Sequence, residues 1–83
     1  MPEQIINAGS KFAEYGLIGL SLGVISLAAS IGIGFIGGKA VEALARQPEA
    51  KNEIRTLMIL AAALIEGVAF FSAVICLLIV LTK

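Results

Sequence analysis

One carboxylic acid, Glu66, stands alone in a long apolar run. Between Leu57 and Leu81 no other charged side chain occurs. A lone acid among aliphatic neighbours has one simple chemistry, the uptake and release of a single proton. Lack of water penalises the ionised form and tolerates the neutral one. An acid near the centre of a bilayer costs about 2.5–3.5 kcal/mol on insertion scales, and such residues mark transport sites more often than not. A carboxyl that is neutral in oil and ionised beside a cation is a reversible proton carrier. No Lys or Arg lies in that run, nor between Tyr15 and Gly38, so the cation has to come from another protein. The blander role for such an acid is to hold helices together by hydrogen bonding.

The elements that must position Glu66 follow from the two uncharged runs. Crossing the hydrocarbon core takes roughly 20 apolar residues at about 1.5 Å each, and both runs are long enough. The chain therefore reads as an all-α membrane protein, a single antiparallel hairpin of two transmembrane helices over residues 1–83. The first helix is expected over about 10–46, with Ser10 as N-cap and Glu14 in its first turns, after a short polar lead-in. Gln47-Pro48 breaks it, because proline removes a backbone donor and biases the preceding residue away from helix. A polar loop over about 47–51 leads into a second helix over about 52–81. Glu66 then lies about nine residues into its run, roughly 14 Å deep and close to the midplane. Counting back from the turn, equal depth pairs it with Ile31–Gly34.

The first run is rich in small residues, and four of them alternate: Ala28, Ser30, Gly32 and Gly34. At about 100° per residue, positions two apart fall on opposite flanks and positions four apart share one. Each flank thus receives a small-xxx-small pair, the pattern that lets membrane helices approach closely. Two such flanks imply two neighbours for every helix. A closed ring of identical copies satisfies this, since a repeated head-to-tail contact continues until it closes. The bulkier second helix suits an outer layer.

Composition agrees and excludes other classes. The 83 residues are 59% apolar, with six basic and six acidic side chains and no net charge. A soluble domain carries about 25% charged residues, and a chain this short has little interior in which to hide so much apolar surface. No basic patch points to nucleic acid. With no His and only Cys76, a zinc site, a haem site and an internal disulfide are not expected. Cys76 reads as a small packing residue. The polar start, without a basic n-region, leads into a run too long for a signal peptide, so the first span is expected to be retained. Lys39, Arg46, Lys51 and Arg55 flank the turn, against one lysine near each terminus, so the loop is expected in the cytoplasm and both termini on the opposite side.

Three features recur together: Ala28-Ala29-Ser30-Ile31-Gly32-Ile33-Gly34-Phe35-Ile36-Gly37-Gly38, then Ala45-Arg46-Gln47-Pro48-Glu49, then Glu66 eighteen residues after the proline. From about Gly23 to Leu81 this resembles the c-subunit of F-type ATP synthases, the proteolipid of the rotor ring. The resemblance implies a homo-oligomeric ring in lipid. It implies that the carboxyl at Glu66 takes up and releases one ion per step against the a-subunit, which supplies an arginine and two half-channels. It also implies that Arg46, Gln47 and Pro48 contact the gamma and epsilon subunits of the central stalk. The chain would then be a non-catalytic part of a complex that makes ATP elsewhere, without cofactor, and no phosphate-binding G-x-x-x-x-G-K-[ST] motif is present. A bacterial inner membrane is the expected location. Ala28 and Ser30 occupy small positions that are often glycine or alanine in that family.

The transported ion is expected to be H+ rather than Na+. Sodium-binding members of that family place a glutamine on the first helix and a hydroxyl directly after the acid. Here Ile33 and Gly67 stand at those positions, and Phe70 and Phe71 follow, so side-chain oxygens are scarce around Glu66. Ser30, backbone carbonyls and water remain as donors. The two phenylalanines read either as a water shield or as packing bulk. A holin-like pore-forming oligomer would explain the spans but not the acid with its Arg-Gln-Pro loop. A proteolipid of a related rotary pump often duplicates the hairpin, which this chain does not.

Overall fold

The computed structural model describes residues 2–82. Helix α1 runs Glu3–Arg46, a 3-10 turn covers Pro48–Ala50, and helix α2 runs Lys51–Thr82. The two helices lie side by side in an object of 70 × 19 × 7 Å. Both are long and apolar enough to cross a membrane.

The break between them is local chemistry. Gln47 leaves helical geometry at φ −135°, ψ 70°, while its N–H still donates to the Ala43 carbonyl at 2.8 Å and closes α1. Pro48 forces that departure on the residue before it, then opens the next turn, where its missing N–H costs nothing. The Ala50 N–H donates to the Gln47 carbonyl at 3.0 Å, and the chain enters α2 without a wider loop.

Helix α1 begins earlier than its sequence suggests, at Glu3 rather than near Ser10. Pro2 sits just outside it with ψ 143°, and its carbonyl accepts from the Ile5 and Ile6 N–H groups at 3.1 and 3.3 Å. Glu3 places a negative charge on the positive end of the helix dipole. Between Glu3 and Ser10 the poorest helix former is Gly9, at about 1 kcal/mol, and one such residue does not stop the helix. Because α1 has 44 residues and α2 has 32, its first turns extend roughly 18 Å past the end of α2.

A narrow seam holds the hairpin together. Among the described residues only Ala29, Ala40 and Cys76 are buried. The half-buried positions repeat every three or four residues, as in Ile18, Leu22 and Ile25 of α1 and Ile54, Met58, Ala61 and Ile65 of α2. Of the glycines only Gly32 faces the seam closely: a Cβ built there would stand 3.4 Å from Ile65 Cδ1. Most large apolar side chains point out. Leu27, Leu64 and Phe70 are 61, 64 and 72% exposed. Covering one such side chain is worth about 1.5–3 kcal/mol, so a lone hairpin leaves most of its apolar surface to lipid and to neighbours.

Candidate functional site

Glu66 sits in the middle of α2 with its side chain exposed on the hairpin surface. The Gly32–Ile65 contact sets its depth, one residue from that crossing and level with Ile31 on α1. Its flank follows from the opposite side of the hairpin, where an apolar groove of about 510 Å³ runs between the helices, lined by Ala28, Gly32, Leu64, Ile65, Val68 and Ser72. Ser30 is two residues from both Ala28 and Gly32, and Glu66 is two residues from both Leu64 and Val68. At about 100° per residue, both therefore lie on the flank away from the groove. Gly34, four residues after Ser30, shares that flank. The small residues are thus sorted: Ala28 and Gly32 go with the groove, Ser30 and Gly34 with the acid.

The other residues expected around the acid divide. Ile33 is half-buried beside the seam on the Glu66 side. Phe70 follows Glu66 by one turn on the same flank and is exposed. Phe71 lies about 100° further round and turns towards the groove side. Gly67 points away from α1, and a Cβ there would meet nothing within 4 Å. Gly34 is equally open, whereas Gly32 faces its own chain. Arg46, Gln47 and Pro48 are exposed at the end of the hairpin.

No cation of the same chain reaches Glu66 among the described residues. Lys39 lies about eight residues nearer the turn, roughly 12 Å along the axis. Its Nζ stands 3.7 Å from Glu42 Oε2 and 5.6 Å from the Phe35 ring centre. That exposed pair is worth little in stability, but together with the ring it keeps the ammonium at the turn end. Arg55 is further still. Hydroxyls also differ by flank. Ser21 and Ser72 donate to the Leu17 and Val68 carbonyls, each at 2.9 Å. Ser26 and Ser30, on the Glu66 side of α1, make no hydrogen bond among the described residues. The sequence carries no signal for that difference, because every serine of a helix can bond back to its own backbone.

Residues 17–79 match the family model for the C subunit of ATP synthase. The chain belongs to the ATP synthase c-subunit family. It is 61% identical over 62 residues to the ATP synthase c-subunit of Bacteroides thetaiotaomicron, covering 75% of this chain and 71% of that one. With the c-subunit of Phocaeicola vulgatus it shares 53% identity over 76 residues, 89% of this chain and 90% of the relative. The chloroplastic c-subunit of Phaeodactylum tricornutum is 40% identical over 75 residues, 90% and 87% of the two chains. No solved structure matches the chain. As a member of this family, the protein is an integral membrane, ion-translocating rotor component that assembles as a ring within the ATP synthase complex. Its two apolar helices, with so little buried between them, suit that setting.

Proposed function

We propose that this rotor protein carries protons and that Glu66 is the group that carries them. The observation that supports this most is the isolation of that acid. It is the one charged side chain in the second span, exposed on one flank of the hairpin, and Lys39 and Arg55 lie near the turn. A carboxyl that carries its proton has no charge, so Glu66 in that form can pass through lipid as the ring turns. Release requires a cation from outside the chain, which the family resemblance assigns to an arginine of the a-subunit between two half-channels.

Protons rather than sodium follow from the donor set. Sodium needs several oxygens to replace its water, and Ile33, Gly67 and Phe70 offer none from their side chains. A lone carboxyl binds a proton as a covalent O–H and needs no such cage. The protein itself is non-catalytic. Its exposed Arg46-Gln47-Pro48 turn faces the cytoplasm, where it meets the gamma and epsilon subunits of the stalk and passes rotation on. The membrane is a bacterial inner membrane.

A hydrophobic carbodiimide, which attacks protonated carboxyls, tests this directly. Labelling of membranes should fall on Glu66 and not on the exposed Glu3, Glu42, Glu49 or Glu53, should be faster at acid pH, and should be unchanged by added sodium. Mass spectrometry of the labelled chain reads the position. Protection by sodium would replace the proton with Na+ as the transported ion, and labelling spread over the surface acids would remove Glu66 from the role.

A further inference from the structure

A neutral Glu66 needs an acceptor for its proton while the site is closed. We infer that Ser30 is that partner: the protonated Glu66 carboxyl donates its O–H to Ser30 Oγ on the same flank of the hairpin. The inference rests on the proposed role of Glu66.

The first observation is placement. Glu66 is level with Ile31, and Ser30 is the adjacent residue of α1 on the flank that Glu66 occupies. Both side chains are exposed in the lone hairpin. Gly34, on the same flank, has nothing within 4 Å of an added Cβ apart from its chain neighbours, so the flank is open one turn nearer the loop.

The second observation is hydrogen-bond capacity. Thr56, Ser72 and Thr82 on α2 and Ser21 on α1 all commit their hydroxyl proton to a carbonyl four residues back. The Ser30 hydroxyl makes no hydrogen bond among the described residues, and neither does the Glu66 carboxyl. When a ring forms by repeated head-to-tail contact, the Glu66 flank of one copy meets the groove flank of the next. That groove is apolar apart from Ser72, which lies six residues from Glu66 on α2, roughly 9 Å along the axis from the level of the acid when copies stand at equal height. Water is excluded there, and a buried polar group without a partner is costly. Ser30 and Glu66 are then left to each other.

The atoms balance in the neutral state. Glu66 donates its one acid proton to Ser30 Oγ. A hydroxyl oxygen has two lone pairs, so Ser30 Oγ accepts that proton whichever way its own O–H turns. No other titratable group competes: α1 has none between Gly16 and Gly38, and α2 between Leu57 and Leu81 has only Cys76, which is buried in the seam.

Infrared difference spectroscopy of purified rings, stepped between alkaline and acid pH, tests the bond. The Glu66 carbonyl band is the one lost in Glu66→Gln. In the wild-type ring it should lie at the low frequency of a hydrogen-bonded acid. Ser30→Ala should move it to higher frequency, and Ser26→Ala, a turn away, should leave it in place. A wild-type band at the position of a free acid overturns the inference without any serine variant, as does a Ser30→Ala band that does not move or an equal shift in Ser26→Ala. Those results leave the carrier role of Glu66 standing. The absence of any pH-dependent carboxyl band assigned to Glu66 removes that role and this inference with it.

Discussion

Glu66→Gln is expected to reduce proton transport by reconstituted complexes to the leak of vesicles lacking them, while the ring still assembles. Glutamine keeps nearly the same shape and both heavy-atom hydrogen-bonding positions but has no proton to release near neutral pH. The substitution therefore separates the carrier role from a structural one. An acid near the midplane costs about 2.5–3.5 kcal/mol to place in oil, and the uncharged amide relieves part of that cost. Ring yield should be equal or greater, read as SDS-resistant oligomer on gels. Glu66→Asp keeps the acid but withdraws it by one methylene, so some transport should remain. Transport by Glu66→Gln at the wild-type rate would reject Glu66 as the carrier. Loss of both the ring and transport would favour the acid as a helix-holding group instead.

Glu66 is legible in the sequence because it breaks a pattern: one charge in a run of aliphatic residues needs no fold to be noticed. The turn is legible for a similar reason, since Gln47-Pro48 stops a helix by local sterics alone. Depth also comes from counting, at a fixed rise per residue from that turn. Other features need the second helix. Alternation at Ala28, Ser30, Gly32 and Gly34 separates two flanks but does not say which one turns with Glu66. Only the groove, which brings Ala28 and Gly32 beside Leu64 and Val68, decides that. Likewise Phe70 and Phe71 look equivalent beside the acid until the rotation of α2 puts one on its flank and the other away from it. The start of α1 is misleading in the sequence because Ser10 is a good N-cap by type. Nothing before it ends the helix, and a helix already begun after Pro2 runs through it.

The sorting of the glycines makes Gly32 and Gly34 into opposite experiments. Gly34 lies on the Glu66 flank with open space around it. Gly34→Leu therefore leaves the hairpin intact but sets a branched side chain where the next copy has to close in. Helix content by circular dichroism should match wild type, while SDS-resistant rings should fall to background. Gly32 lies against its own chain, with 3.4 Å between an added Cβ and Ile65 Cδ1. That is ordinary contact, so Gly32→Ala should be accepted, helped by up to about 1 kcal/mol of helix propensity. Gly32→Leu overfills the seam at a cost of about 1–3 kcal/mol, and it should part the two helices within one hairpin. Cross-linking between Ala29→Cys and Ala69→Cys, in a Cys76→Ala background, reads that parting directly. The cross-link should persist in Gly34→Leu and weaken in Gly32→Leu. If Gly34→Leu formed rings at the wild-type level, the Glu66 flank would not be where copies meet. The acid would then face lipid alone, without a neighbour to keep water from it.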